Sequence, residues 1–517
     1  MTKVGAIERE TQNRIIRIFQ EQLGYKYLGN WQEREDNQAI EEDYLKAYLK
    51  DVGYAQELSE RAILELKRVA GAQNKNLYDI NREVYTLLRY GLKIKPDLGT
   101  NSQTVELINW REPDKNHFGI VEEVTVSGEH NKRPDLVIYV NGIALAVIEL
   151  KRSTVSVAEG IRQNIDSQKR EFIQHFFGTL QFVMAGNDSE GLRYGTIETS
   201  EKYYLKWKEK GKREQNLESH ILALFDKERF LELIHDFVVY DSGIKKLCRH
   251  NQYNAVKAAQ DFILRREGGI IWHTQGSGKS LIMVWLAKWI RENITGARVL
   301  IITDRDELDK QIENVFRGVD EEIVRTKSGV DLIGRLASTE NWFLCSLIHK
   351  FRNKDEGDWL SYALELSNLA KSGFQAKGNL HVFVDECHRT QSGELHKAMK
   401  AILPEALFIG FTGTPLLRTD KQTTLEVFGK YIDTYKFDEA VKDKAIVDLR
   451  YEARDIDQRI TSKEKIDLWF ESKTKGLKPL AKAELKRKWG TMQRVLSSRS
   501  RLENIVADIR LDMETRD

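Results

Sequence analysis

The sequence predicts an α/β protein, a mixed α/β domain followed by a doubly wound parallel-sheet domain. Two patterns point to it. Between residues 268 and 414, the apolar runs "GGIIWHT", "ARVLIITD", "NWFLCSL", "HVFVDEC" and "ALFIGFTGT" alternate with helical stretches. Each run is nearly continuous, as expected for parallel strands covered on both faces. Before residue 215 the runs are rich in Val and Ile and interleave with amphipathic helices. A chain of 517 residues is long enough for two or three domains, each with its own core.

In order, "ETQNRIIRIFQEQLGYKYLG" repeats apolar residues at helical spacing (Ile15, Ile16, Ile18, Phe19, Leu23) and is stopped by Gly24. "YAQELSERAILELKRVAG" reads as a second helix ended by Gly71. "TVELINW", "IVEEVTVSG", "PDLVIYVNG" and "ALAVIELK" read as strands. A helical pattern covers "SVAEGIRQNIDSQKREFIQHFF", and "LQFVMAGND" and "LRYGTI" return to strand. The lysine-rich "EKYYLKWKEKGKREQ" (201–215) reads as a solvated connection. The expected domains are 1–215, 216–435 and a lysine-rich helical tail, 436–517.

Composition sets limits. The chain is 41% hydrophobic and 31% charged with a net charge of +2, so any nucleic-acid contact must come from local clusters rather than a global field. Its three cysteines, Cys248, Cys345 and Cys387, lack C-x-x-C spacing, which argues against a disulfide framework or zinc site and fits a reducing cytoplasm. The first residues are too charged for a signal peptide. No apolar run approaches the roughly 18 residues of a membrane span, so no membrane partner is expected.

"HTQGSGKS" (273–280) follows a strand and opens a helix. Loop N–H groups and the helix dipole converge there on negative charge. Gly276 and Gly278 let the backbone approach phosphates, Lys279 supplies charge for the β/γ-phosphates, and Ser280 offers a hydroxyl to Mg²⁺. Thr274 and Ser277 complete the cofactor-binding loop. His273 stands where such loops ordinarily have Gly; that position shapes the entry to the loop. "HVFVDECH" places Asp385 and Glu386 at a strand's C-terminal end, where ligands bind in open α/β sheets. Asp385 can hold Mg²⁺ through water and Glu386 can activate the attacking water.

A second constellation lies in "RPDLVIYVNGIALAVIELK" (133–151). Glu149 and Lys151 share a face because a strand repeats every two residues. A return through Asn141 and Gly142 can bring Asp135 to them. Two carboxylates can hold Mg²⁺; with Lys151 they can lower a water's pKa and stabilise charge on a phosphodiester. Arg162, Gln163 and Lys169 follow on a helix.

These segments carry a resemblance. "HTQGSGKS", "DECH" and "FTGTP" (411–415) look like superfamily-two helicase motifs, which implies a RecA-like lobe that binds ATP and Mg²⁺. "RHNQYNAVKAAQ" then fits the adenine-reading segment, with Gln252 as the implied contact. "VLIITDRDELDKQ" and "CSLIHKF" would contact DNA. Asp135, Glu149 and Lys151 resemble the PD-(D/E)xK endonuclease fold, and Glu8 or Glu10 would be its further acid. The whole order resembles the restriction (motor, R) subunit of type I restriction–modification enzymes, in which His273 is a common variant. The resemblance implies cleavage of double-stranded DNA after ATP-driven translocation, with modification and specificity subunits as partners. It departs from the family's Q-x-x-x-Y pattern, since Gln163 is followed by Ser167. No second apolar-strand series or arginine motif follows Pro415, so the stretch is expected to hold only the first motor lobe, with weak or absent ATPase activity. Two alternatives remain: another superfamily-two remodeller with a nuclease-like gripping domain, and a non-catalytic assembly module.

Overall fold

The computed structural model describes residues 8–95, 101–211, 216–303, 323–326, 329–347, 374–387, 399–400, 402–414, 428–449, 468, 470–489 and 499–515. Residues 1–446 fold as one compact unit and 447–517 as a second.

The chain opens with α1 (Glu8–Glu21), which buries Ile15, Ile16, Ile18 and Phe19, and β1 (Lys26–Asn30). Helices α2 (Glu42–Val52), α3 (Gln56–Ala70) and α4 (Leu77–Tyr90) precede an antiparallel pair, β2 (Leu92–Ile94) and β3 (Gln103–Val105). Of the run "TVELINW" only Thr104 and Val105 are in a strand, although Leu107 and Ile108 are fully buried. Burial of apolar side chains here does not require a ladder.

The first sheet adds β4 (Phe118–Glu122), β5 (Leu136–Val140), β6 (Ile143–Leu150), β7 (Phe182–Asn187), β8 (Gly191–Gly195) and β9 (Leu205–Lys206). Its order is β1-β4-β5-β6-β7-β8-β9. β1 and β4, and β6 and β7, run parallel; the other neighbours are antiparallel. Every residue of β5 and β6 is buried. Leu136, Ile138 and Ile148 join one hydrophobic cluster, and Val137, Tyr139 and Val147 join another on the opposite face.

Helix α5 (Val157–Ser167) packs Val157 and Ile161 on Ala185 of β7. It stops short of the pattern read from sequence, which continued to Phe177. Ile173, Phe176 and Phe177 are fully buried in the second cluster, and the chain takes a 3-10 turn over Gln174–Gly178 to place them there. The lysine-rich stretch 201–215 is also not merely solvated. Trp207 is buried between Tyr194 and Tyr253, and its Nε1 donates to Glu209 Oε1 at 2.6 Å.

Helices α6 (Leu217–Leu224) and α7 (Lys227–Asp236) and the hairpin β10 (Val238–Asp241) and β11 (Ile244–Leu247) lead to α8 (His250–Leu264). The second sheet then forms from β12 (Gly269–His273), β13 (Ala297–Thr303), β14 (Val324–Arg325), β15 (Phe343–Leu347), β16 (Asn379–Asp385), β17 (Leu407–Thr412) and β18 (Tyr431–Tyr435). Its order is β14-β15-β13-β16-β17-β12-β18, and every described pair is parallel. Helices α9 (Lys279–Asn293) and α10 (Gly329–Leu336) belong to it, and α11 (Phe437–Lys442) closes the first unit. Because β17 lies between β16 and β12, the C-terminal ends carrying Asp385, Thr412 and His273 meet at one edge. In the second unit, α12 (Pro479–Trp489) and α13 (Arg499–Thr515) are described. No described helix is long and apolar enough to cross a membrane.

Candidate functional sites

The first site sits where β5 and β6 meet. Asp135 precedes β5, and the antiparallel return through Asn141 (φ 52°) and Gly142 (φ 79°) pairs Leu136 with Ile148. Asp135 Oδ2 accepts the N–H of Leu150 at 2.7 Å, which points its carboxyl at the end of β6. Glu149 is 2% exposed, and its Oε2 has no hydrogen-bond partner. Lys151 Nζ lies 3.9 Å from Glu149 Oε2, and equally 3.9 Å from Glu8 Oε1. The three residues singled out from the sequence therefore come together, and Glu8 joins them. Glu10 is exposed on α1.

Burial pushes the Asp135 carboxyl up to about 6; the Leu150 N–H and the Lys151 ammonium only partly offset it. Burial, then the charge of Asp135, push Glu149 well above the carboxylate range, again against Lys151. Two desolvated carboxyls side by side hold a proton between them. A divalent ion would replace that proton, and the orphaned Glu149 Oε2 is the atom such an ion would satisfy. The residues present thus fit a metal.

Sequence reading missed what aims α1 at this pocket. Buried Glu122 accepts from Arg9 (Nη1 to Oε2, 2.9 Å), Tyr27 Oη (2.7 Å) and Asn30 (3.2 Å), which ties the start of α1 to β4. On α5, Arg162 pairs with Glu159 and Glu201 at 2.8 Å; Lys169, expected on the same helix, lies just past its end and pairs with Asp166 at 2.6 Å. Gln163 is half-buried. Ser167 Oγ donates to the Gln163 carbonyl at 2.9 Å, so this position closes the helix rather than presenting a ring.

The second site is the loop between β12 and α9. Thr274 N–H donates to Tyr435 O at 2.9 Å; Ser277 Oγ donates back to Thr274 O at 2.6 Å, which folds the loop on itself. Gly276 (φ 82°) and Gly278 (φ 90°) take left-handed backbone that side chains resist. A Cβ on Gly278 would stand 2.2 Å from Gln252 Nε2. Gln252 Oε1 accepts the Arg249 N–H at 2.8 Å, and its Nε2 donates to Gly278 O at 3.1 Å. The side chain expected to read adenine thus also clamps α8 to the loop. Lys279 Nζ donates to His273 O at 3.2 Å, and Ser280 sits half-buried on the first turn of α9.

Asp385 and Glu386 are 5% and 7% exposed at the end of β16. Glu386 has φ 49°, and its Oε2 accepts the Gly413 N–H at 3.4 Å. A Cβ on Gly413 would stand 2.8 Å from Lys279 Nζ. Gly413 therefore brings the loop lysine and the acidic pair to one point, and its place inside "FTGTP" was the available signal. His388, Pro415 and much of the expected DNA-contacting segments lie outside the described residues.

The unusual His273 is fully buried. Its Nε2 lies 2.8 Å from Asp433 Oδ2, and its Nδ1 3.5 Å from Asn251 Nδ2. A carboxylate only accepts, so the proton is on Nε2 and Nδ1 accepts from Asn251. Burial lowers the imidazole's pKa despite Asp433, so the ring is neutral.

Residues 7–202 match the family model of the type I restriction enzyme R protein N terminus, and residues 251–483 match that of the SWI2/SNF2 ATPases. A Methanocaldococcus jannaschii chain assigned as the MjaIXP endonuclease subunit of a type I restriction enzyme is 26% identical over 87% of this chain and 46% of its own length. The Haemophilus influenzae type I restriction enzyme HindI endonuclease subunit is 28% identical over 83% and 43%. A Staphylococcus aureus type I restriction enzyme endonuclease subunit, SauMSSORF170P, is 27% identical over 64% and 35%. The chain spans less than half the length of these curated relatives. The chain thus joins a region that matches the type I restriction enzyme R protein N terminus to one that matches the SWI2/SNF2 ATPases, and over most of its length it is similar to endonuclease (R) subunits of type I restriction enzymes.

Proposed function

We propose that the chain is the N-terminal part of the subunit that cleaves DNA and drives ATP-dependent DNA translocation in a type I restriction enzyme. In this reading residues 1–215 are a PD-(D/E)xK-type endonuclease, 216–435 a first RecA-like lobe and 436–517 a helical lead into a second lobe. The observation that carries it is the buried Glu149 Oε2, without a hydrogen-bond partner, beside Asp135 and Lys151 at the end of β6.

Asp135 and Glu149 would hold Mg²⁺, which when bound supplies positive charge against the phosphodiester and a more acidic water. Lys151, whose ammonium donates to the Leu150 carbonyl at the end of β6 and lies near Glu8, presents that charge to the phosphodiester oxygens as negative charge grows there. Burial around Glu149 keeps water out and strengthens that attraction.

In the motor lobe, the loop N–H groups and Lys279 bind the phosphates of ATP. Ser280 and Asp385 would hold its Mg²⁺, and Gln252 faces the base. Glu386 orients the attacking water. The partners are double-stranded DNA and the modification and specificity subunits of the same complex, whose selectivity must come from base contacts rather than phosphate contacts.

Lys151→Ala tests the nuclease half. In the enzyme reconstituted with its modification and specificity subunits, the variant is expected to lose plasmid cleavage and keep ATP turnover. Undiminished cutting would reject the assignment.

A further inference from the structure

Trp207 anchors a strap that leaves β9 at the edge of the first sheet and reaches the second. From it, Lys208 Nζ meets Asp443 Oδ1 at 3.2 Å and Lys210 Nζ meets Asp433 Oδ1 at 3.0 Å. Each acid also meets a histidine. His273 Nε2 is 2.8 Å from Asp433 Oδ2, and His250 Nε2 is 3.2 Å from Asp443 Oδ2. His273 leads the phosphate loop, and His250 opens the helix that carries Gln252. Two Lys–Asp–His chains therefore run side by side from the edge of the nuclease-like sheet, one to the nucleotide loop and one to the start of the helix that clamps it.

The chains have a physical division of labour. The Asp433 side chain is 5% exposed, and a buried carboxylate needs both hydrogen bonds and a counter-charge. His273 is neutral and supplies only the hydrogen bond. The nearby Lys279 ammonium is held by the His273 carbonyl. Among the described residues, Lys210 is the cation that meets Asp433 directly. At the second acid, Tyr435 Oη donates to Asp443 Oδ2 at 2.9 Å and Lys208 brings the charge. Fixing Asp433 fixes the His273 ring, and with it the carbonyl that positions Lys279.

We infer that Lys208 and Lys210 are positioning residues: the strap from the nuclease-like sheet sets how firmly the phosphate loop is held. The purpose of this device rests on the ATP reading above, but its geometry does not.

The test uses hydrogen exchange of the full chain without nucleotide. The Lys208→Met/Lys210→Met double variant keeps its fold because both side chains are substantially exposed (47% and 75%). Exchange of the loop peptide 273–279 is expected to quicken roughly two- to thirty-fold, the range two such ion pairs support. Lys208→Arg/Lys210→Arg is expected to restore the rate. An unchanged loop rate overturns the inference, as does equal acceleration across β13, which would mean general loosening. A failed nucleotide site would show separately, as unaltered ADP affinity in Lys279→Ala.

Discussion

Asp135→Asn separates the stability of the cleavage site from its chemistry. Asp135 has its carboxyl raised from 3.8 to about 6, chiefly by burial. An acid raised on folding contributes stability below its unfolded value and loses it as the pH climbs through the folded one. The roughly 2-unit difference corresponds to about 3 kcal/mol at 1.36 kcal/mol per unit. Asp135 retains some solvent contact, so about 2 kcal/mol is the better expectation. Asparagine keeps the shape and can still accept the Leu150 N–H. The variant should therefore match the parent near pH 4 and exceed it by about 2 kcal/mol at pH 8 without divalent ions. Added Mg²⁺ should stabilise the parent and not the variant. Denaturant unfolding followed by circular dichroism at the two pH values measures both effects. Equal midpoints for parent and variant at pH 8 without metal would refute the reasoning, because they would mean that the ionised carboxyl bears no desolvation cost.

In the motor lobe, Lys279→Ala removes the loop's ammonium and is expected to weaken ADP binding by roughly 10- to 100-fold, the weight of charged hydrogen bonds; calorimetry reads this directly. Gly278→Ala forces a side chain onto backbone at φ 90° and drives its Cβ into the pinned Gln252 amide. It should destabilise the first unit by about 1–3 kcal/mol and lower nucleotide affinity, seen by thermal unfolding with and without ADP.

Local rules made much of both sites legible. Glu149 and Lys151 share a face by strand period alone, Asn141 and Gly142 marked the turn that returns to Asp135, and Gly276 and Gly278 marked a loop whose backbone can approach phosphates. Asp385 and Glu386 were found because acids at the end of an apolar strand have few structural reasons to be there. What escaped were partners distant in sequence. Asp433 meets His273 across 160 residues, and Glu122 meets Arg9 across 113. No periodicity encodes such pairs; only strand order does, here the placing of β18 beside β12. The strap's lysines looked like ordinary solvated charge because their acids lie more than 200 residues on, Asp433 on β18 and Asp443 just past α11. The end of α5 escaped for a related reason: burying Ile173, Phe176 and Phe177 beneath the sheet outweighed the local helical pattern.

The claim that the two carboxylates form a divalent-ion site is tested most directly by titrating Mn²⁺ into the nucleotide-free chain and into Glu149→Gln by calorimetry. The account predicts one binding event in the parent, coupled to proton release because the shared proton must leave, and its loss in the variant. Identical isotherms for the two proteins would contradict it.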